Sequence, residues 1–226
     1  MVEICNVKKT KVIAVIPALN EENTLAIVLQ SITNHVNDII VVDDGSVDDT
    51  AKIAAKYAYI VKHQKNCGYD HSINDGFKAA KERGAEIIIT LDADGQHLAA
   101  DIPLLVNPII AGEADVVIGR RPYQARFMES VFARYGKKYG INDPLCGMKA
   151  YSIKVYNDIG FFDTITSIGT QLAFMAYKKG YRIKEVSINL RKRKDTPRFG
   201  RKLKANYKLF KAYLRLTKYI NEQPQK

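Results

Sequence analysis

Asp92 and Asp94 stand two residues apart at the end of the run Ile87-Ile88-Ile89-Thr90-Leu91, and Gly95-Gln96-His97 follow them. Extended backbone points residues i and i+2 to the same side, so the two carboxylates face together. Like charges at such spacing repel unless a cation lies between them, and carboxylate oxygens suit hard ions such as Mg²⁺ or Mn²⁺. The aliphatic run reads as a buried strand, and in a parallel sheet its C-terminal edge opens into the ligand crevice. Taken alone, the segment is equally a strand end followed by a polar turn, because Asp and Gly are ordinary turn residues.

The elements that would carry these groups follow from periodicity. Val12 to Ile16 is a short apolar run stopped by Pro17 and reads as a first strand. Asn20 is placed as the N-cap of a helix whose apolar face is Leu25, Val28, Leu29 and Ile32. A second strand over 38–42 delivers Asp43-Asp44-Gly45-Ser46 to a loop, followed by a helix over 48–56 and a strand over 59–63. Residues 64–76 read as a polar loop before a helix ending near Gly84. Beyond the Asp92 strand come a helix over 102–111, a strand over 115–118 ending in Gly119-Arg120-Arg121, and a helix over 127–139. A strand over 148–151, a helix over 170–179, a strand over 181–190 and a basic amphipathic helix over 206–220 complete the pattern. On that last helix Tyr207, Phe210, Leu214 and Tyr219 are assigned to one side. Alternating strands and helices imply βαβ units, hence an α/β fold with a mostly parallel sheet. Acidic or glycine-bearing loops then follow three strands at one edge, which turn chemistry alone does not explain.

Composition bounds the partners. The 226 residues carry a formal charge of +11, and residues 191–218 hold twelve Lys and Arg against the single Asp195, which accounts for the whole excess. The body is therefore near neutral and the tail basic, which implies an anionic partner. Cys5, Cys67 and Cys146 are odd in number and widely spaced, a usage suited to a reducing cytosol. No signal pattern opens the sequence, and no apolar run approaches the roughly 18 residues of a membrane span. A soluble or peripheral protein is expected.

The motifs in order resemble the family 2 glycosyltransferases of the GT-A fold, and within them the dolichol-phosphate mannose synthase-like and polyprenyl-phosphate glycosyltransferase branch. The matching pieces are Ile16-Pro17-Ala18-Leu19-Asn20-Glu21, Val41-Val42-Asp43-Asp44-Gly45-Ser46, Asn66 with Gly68, Leu91 to His97, Gly119-Arg120-Arg121, and Asp143 with Gly147. They cover roughly residues 12–200. The resemblance implies a GT-A, Rossmann-like sheet over residues 1–190, followed by a basic mobile loop and C-terminal helix over 191–226. It implies that Pro17, Ala18, Asn20 and Glu21 line a nucleotide site, that Asp44 reads the base with Asp43 nearby, and that Asn66 and Gly68 close over the nucleotide beside Asp92 and Ala93. Asp92, Asp94 and Gln96 are then ligands of Mg²⁺ or Mn²⁺ bridging a diphosphate, Arg121 a diphosphate contact, and Arg193, Arg198, Arg201 and Lys202 cations that fold over phosphate. His97 faces donor or acceptor, or serves as a cap.

The activity implied is inverting transfer of a sugar, hexosyl or N-acetylhexosaminyl, from a UDP- or GDP-sugar to a polyprenyl phosphate or cell-surface glycan. The place implied is the cytoplasm or the inner face of the membrane, with an anionic lipid surface as a partner and no nucleic acid. Asp143 is the general base if the acceptor is a hydroxyl; an ionised lipid phosphate needs none. Two departures bear on the acceptor: the segment between Arg121 and Asp143 is short, and Gln171 stands where the family commonly has Glu. Against a nucleotidyltransferase, Pro17-Ala18-Leu19-Asn20 is not a Gly-rich cationic loop. Against a nucleic-acid-binding protein, the cations lie at one end without a recognition motif.

Overall fold

A computed structural model describes residues 10–123, 126–191 and 202–224, with backbone only for 202–204. The strands are β1 (Val12–Ala18), β2 (Asp38–Asp43), β3 (Tyr59–Lys62), β4 (Ile87–Thr90), β5 (Val116–Arg120), β6 (Lys149–Ser152) and β7 (Ile183–Ser187). They form one sheet in the order β3-β2-β1-β4-β6-β5-β7. All neighbours run parallel except β6, which lies antiparallel between β4 and β5. The mostly parallel α/β sheet expected from the sequence is present.

Period-two alternation splits the strands between two cores. Ile13, Val15, Ile40, Val42, Ile88 and Tyr151 face one layer of helices. Val12, Ala14, Ile16, Ile39, Val41, Ile87 and Ile89 face the other. The second face carries α1 (Leu25–Ile32), α2 (Thr50–Ala54) and α4 (Ile102–Ile110). The first carries α3 (Tyr69–Glu82), α5 (Phe127–Gly136), α6 (Ile153–Ile159), α7 (Gln171–Lys178) and α8 (Lys202–Glu222). Both faces of the sheet are thereby covered, as parallel strands require.

Four local expectations differ. Asn20 is not a helix cap: α1 begins at Leu25 after Thr24, and Asn20 sits at φ 49° in the preceding loop. Helix α3 starts at Tyr69, not after residue 76, so Asp70, His71 and Asp75 lie on a helix rather than in a loop. Helix α6 was not anticipated; its seven residues begin directly after β6, where Ser152 caps the N–H of Lys154. On α8 Tyr207, Phe210 and Leu214 share the exposed side as expected, but Tyr219 packs against the core beside the buried Ala205, Leu209, Ala212, Leu216 and Ile220. The helix has two apolar stripes, and the smaller aliphatic one packs inward.

Phe77 of α3 is fully buried, with its ring centroid 4.8 Å from Phe162, 5.2 Å from Tyr156 and 5.7 Å from Tyr151. It joins α3 to β6, α6 and the segment after α6. Phe77→Ala should lower unfolding free energy by about 3–5 kcal/mol, the usual cost of an aromatic truncation that leaves a cavity. Urea denaturation measures it.

Candidate active site

A cleft of about 620 Å³ opens at the C-terminal edge of the parallel strands. Pro17, Ala18 and Glu21 reach it from the end of β1, and Asp44 from the end of β2. Asn66 and Gly68 enter from the segment after β3, Asp92, Ala93, Asp94, Gln96 and His97 from the end of β4, and Arg121 from the end of β5. This edge is where ligands bind in open α/β sheets.

At one end of the cleft two loops are stitched together. The Asn20 N–H donates to Ser46 Oγ, the Val47 N–H to Asn20 Oδ1, and the Glu21 N–H to Thr50 Oγ1. Asn20 therefore braces the wall rather than lining it. Asp43 also lies off the cleft surface: it is fully buried, Oδ1 accepts from the Ser46 N–H, and Oδ2 has no hydrogen-bond partner among the described residues. Asp44 is fixed from three directions: Oδ1 accepts from the Cys67 N–H and faces His63 Nδ1 at 2.8 Å, and Oδ2 accepts from the Gly68 N–H.

In the centre, Asp94 Oδ1 accepts from the Gln96 N–H, and His97 Nδ1 accepts from the Asp92 N–H. His97 thus holds the turn from within, bridging to Leu190 as well. The Arg191 N–H donates to the Gln96 carbonyl, so the chain beyond β7 pins the same loop. The Asp92 side chain remains 38% exposed. Its carboxylate lies against Gly147: a Cβ there would stand 2.6 Å from Asp92 Oδ1 and nearer still to Oδ2. The donor set is hard and anionic, with room left for substrate oxygens. That fits Mg²⁺ or Mn²⁺, which take one or two carboxylates and complete their shell with phosphate and water.

At the far end Arg121 grips Asp143 through two parallel bonds, Nε to Oδ2 and a terminal nitrogen to Oδ1, each 2.8 Å, and its backbone N–H adds a third. Glu129 stands 3.3 Å from the same guanidinium. Burial opposes the charge on Arg121, but the Asp143 bonds and the charges of Asp143 and Glu129 outweigh it and hold its pKa above the ordinary value. The Asn142-Asp143 turn is anchored by Glu185 of β7, which accepts from both backbone N–H groups. A second cavity of about 600 Å³ adjoins this pair and is lined by Arg120, Arg134, Lys137 and Asn142 among others.

Sequence reasoning missed the layer beneath. The loop over 163–170 holds Thr166 at φ 52° and Ile168 at φ 59°, a region β-branched residues rarely adopt. Asp70 holds it by accepting from the Gly169 and Ile168 N–H groups, Asp163 by accepting from the Ser167 N–H and hydroxyl, and the buried Lys149 by donating to the Gly169 carbonyl. Burial lowers the Lys149 pKa. Burial, then the Asp163 charge, raises Asp70 to about 7. Gln171 is fully buried and its Oε1 accepts from the Thr164 N–H, so the amide serves this loop. Arg193, Arg198 and Arg201 lie outside the described residues, as does the expected mobile loop; Lys202 opens α8, its side chain likewise outside.

A mostly parallel sheet with acidic strand ends and an arginine converging on one cleft is the architecture of the GT-A glycosyltransferases. The chain belongs to glycosyl transferase family 2, whose model matches residues 13–177. It is 37% identical over 126 residues to a UDP-N-acetylglucosamine–dolichyl-phosphate N-acetylglucosaminyltransferase of Methanococcus voltae, covering 47% of this chain and 50% of that one. It is 28% identical over 203 residues to an undecaprenyl-phosphate mannosyltransferase of Micrococcus luteus, covering 79% and 82%. Among solved structures, glucosyl-3-phosphoglycerate synthase of Mycobacterium tuberculosis with Mn²⁺ and UDP-glucose superposes with a TM-score of 0.74 at 20% identity, over 92% of this chain and 80% of that one. The family resemblance read from the motifs is thus borne out. Among the described residues no helix is long and apolar enough to cross a membrane.

Two outcomes test the site. Gly147→Ala should displace the Asp92 carboxylate and cut glycosyl transfer about a hundredfold, the scale of an ångström-level misplacement, while the melting temperature changes little. For Asp70, the folded pKa lies above the ordinary 3.8. The folded chain therefore keeps a proton that the unfolded chain has lost between about pH 4 and 7. Stability contributed here falls as pH rises through that window and levels off above it. Asp70→Asn should flatten that slope in pH-dependent urea titrations.

Proposed function

We propose that this glycosyltransferase moves a hexosyl or N-acetylhexosaminyl group, with inversion, from a nucleoside diphosphate sugar to a polyprenyl phosphate. The carrying observation is that Asp92 and Asp94 share one cleft with Asp44 and Glu21 on one side and Arg121 on the other. A nucleoside diphosphate spans such an arrangement, with its base end at Asp44, Asn66 and Gly68 and its phosphates over the paired carboxylates. A UDP-sugar is preferred to a GDP-sugar on general frequency within the family. Asp92, Asp94 and Gln96 would hold Mg²⁺ or Mn²⁺, which neutralises charge on the leaving diphosphate.

Arg121 supplies a fixed positive charge beside that leaving group, pre-aligned by Asp143 and Glu129 and so needing little reorganisation. Both oxygens of Asp143 already hold Arg121, which favours a role in positioning that arginine over taking a proton from an acceptor. An acceptor that is already ionised fits this arrangement, and lipid phosphate is one; a glycan hydroxyl would call on Asp143 as base. Arg120, Arg134 and Lys137 around the adjoining cavity suit an anion on the acceptor side. Arg193, Arg198, Arg201 and Lys202 are the further cations proposed to close over phosphate.

The outward stripe of Tyr207, Phe210 and Leu214, flanked by exposed Lys208, Lys211, Arg215 and Lys218, supports a peripheral hold on anionic lipid at the cytoplasmic face. Such attraction is worth roughly 1 kcal/mol per well-placed cation.

Calorimetry with UDP and GDP, with and without Mn²⁺, tests the donor half. UDP should bind in the presence of Mn²⁺, and either EDTA or Asp94→Ala should weaken it at least tenfold, about 1.4 kcal/mol. Binding of neither nucleotide, or binding indifferent to both Mn²⁺ and Asp94→Ala, would sink the reading.

A further inference from the structure

The cleft's base end contains a second group of ligand atoms, chemically unlike the Asp92 pair. Asp44, His63 and Cys67 each bring one atom to a common point, a carboxylate oxygen, a ring nitrogen and a thiol sulfur, all within 4.8 Å of one another. The three come from separate stretches, the end of β2, the residue after β3 and the turn before α3, and the Asp44 carboxylate holds that turn beside it by accepting from the Cys67 and Gly68 N–H groups. His63 is largely enclosed, and Cys67 is exposed to solvent.

The geometry around His63 is the informative part. Its Nε2 stands 3.1 Å from Asp75 Oδ2, and its Nδ1 stands 2.8 Å from Asp44 Oδ1. Asp75 also faces His71 at 3.3 Å. A carboxylate can only accept, so in neutral His63 one ring nitrogen donates and the other presents a lone pair to an oxygen. In the tautomer whose Nε2–H donates to Asp75, Nδ1 turns its lone pair toward Asp44 Oδ1, and a cation between those two atoms would take both as ligands. A ligating histidine whose other nitrogen donates to a carboxylate is the usual arrangement around a protein metal ion.

We propose that Asp44, His63 and Cys67 bind a borderline divalent cation, Zn²⁺ by preference, and that this cation blocks the nucleoside end of the donor cleft. The nitrogen–sulfur–oxygen set favours Zn²⁺ over the hard ions suited to Asp92 and Asp94. On binding, the sulfur–metal bond forms as the thiol releases its proton to solvent, and His63 coordinates through Nδ1 as the neutral Nε2–H tautomer. The exposed thiol gives the ion its route in. The blocking half rests on the reading of Asp44 as the base-recognising carboxylate, because an oxygen engaged by Zn²⁺ is lost to the nucleotide. Linkage makes the antagonism mutual: nucleotide weakens Zn²⁺ by the factor by which Zn²⁺ weakens nucleotide.

Two measurements on the full chain separate these halves. Co²⁺ titration of the wild type should give a near-ultraviolet thiolate-to-metal band that Zn²⁺ abolishes, and Cys67→Ser, which keeps Cys5 and Cys146, should lack it. Absence of the band from the wild type, or its persistence in Cys67→Ser, overturns the cation site. Calorimetry with UDP and Mn²⁺ should then show affinity lowered at least tenfold by saturating Zn²⁺ in the wild type and unchanged by Zn²⁺ in Cys67→Ser. Equal inhibition of both proteins assigns the effect to the Asp92 position and overturns the block. A cobalt band together with UDP affinity indifferent to Zn²⁺ does the same. Failure of UDP to bind even without Zn²⁺ overturns the donor reading and the block with it, leaving the cobalt result to decide the cation site.

Discussion

The site depends on how β4 leaves the sheet. Thr90 is its last residue and is buried, with its hydroxyl donating to the Gly147 carbonyl and accepting from the Lys149 N–H. One side chain therefore joins the parallel strand that carries Asp92 to the antiparallel strand that follows Gly147. The consequence is spatial. Asp92 emerges directly against a residue with no Cβ, and its carboxylate occupies the space any larger residue would fill. A hydroxyl in a dry interior must find both partners or forfeit about 1–3 kcal/mol, so this junction has one favourable arrangement rather than several.

The two ends of the cleft are built on different terms. At the Arg121 end, charge is arranged in a chain: Glu185 orients the Asn142-Asp143 turn, Asp143 clamps the guanidinium, and Glu129 adds a second anion. A charge taken from water is costly unless paired and hydrogen-bonded, and here Arg121 and Arg126 are matched by Asp143 and Glu129. The pairing leaves Arg121 rigid and lining the cleft. At the Asp44 end, backbone N–H groups do most of the holding, and the chain winds back on itself to supply them. The first arrangement holds by paired charge; the second holds by the Cys67 and Gly68 N–H groups.

What could be read from the sequence was what is local to it. Strands β1, β2, β4 and β5 are continuous apolar runs with their functional residues attached at the ends, so both strand and site were visible in Val41-Val42-Asp43-Asp44 and Ile89-Thr90-Leu91-Asp92. The contributions of β6 and of the 163–170 loop were not. Lys149 reaches Gly169 only because β6 inserts between β4 and β5, and Asp70 meets Gly169 across nearly a hundred residues. No pattern within one window carries those pairings. On α8 the stripe of Tyr207, Phe210 and Leu214 was legible and only Tyr219 falls elsewhere, against the core; what periodicity could not show is that the sheet-side helices take up the second stripe, Leu209, Ala212, Leu216 and Ile220. Asn20 was misplaced because a good capping residue is equally good at bracing a loop in left-handed conformation.

Helix α3 ties the Asp44 end to the floor of the cleft. Its first turn gives Asp70 to the floor loop, and five residues on Asp75 faces His63, which faces Asp44. Next to Asp75, Gly76 lets the helix lie against β1 and β2, since a Cβ there would collide with Val15 Cγ1 and stand 3.1 Å from Val42 Cγ2. The carboxylates that hold the floor loop and face His63 are therefore carried on one helix pressed closely onto the strands that deliver Ala18 and Asp44. A shift of that helix would move the base wall and the floor in the same direction. Coupling of this kind needs no relay of side chains, only a helix seated too tightly to tilt at one end alone.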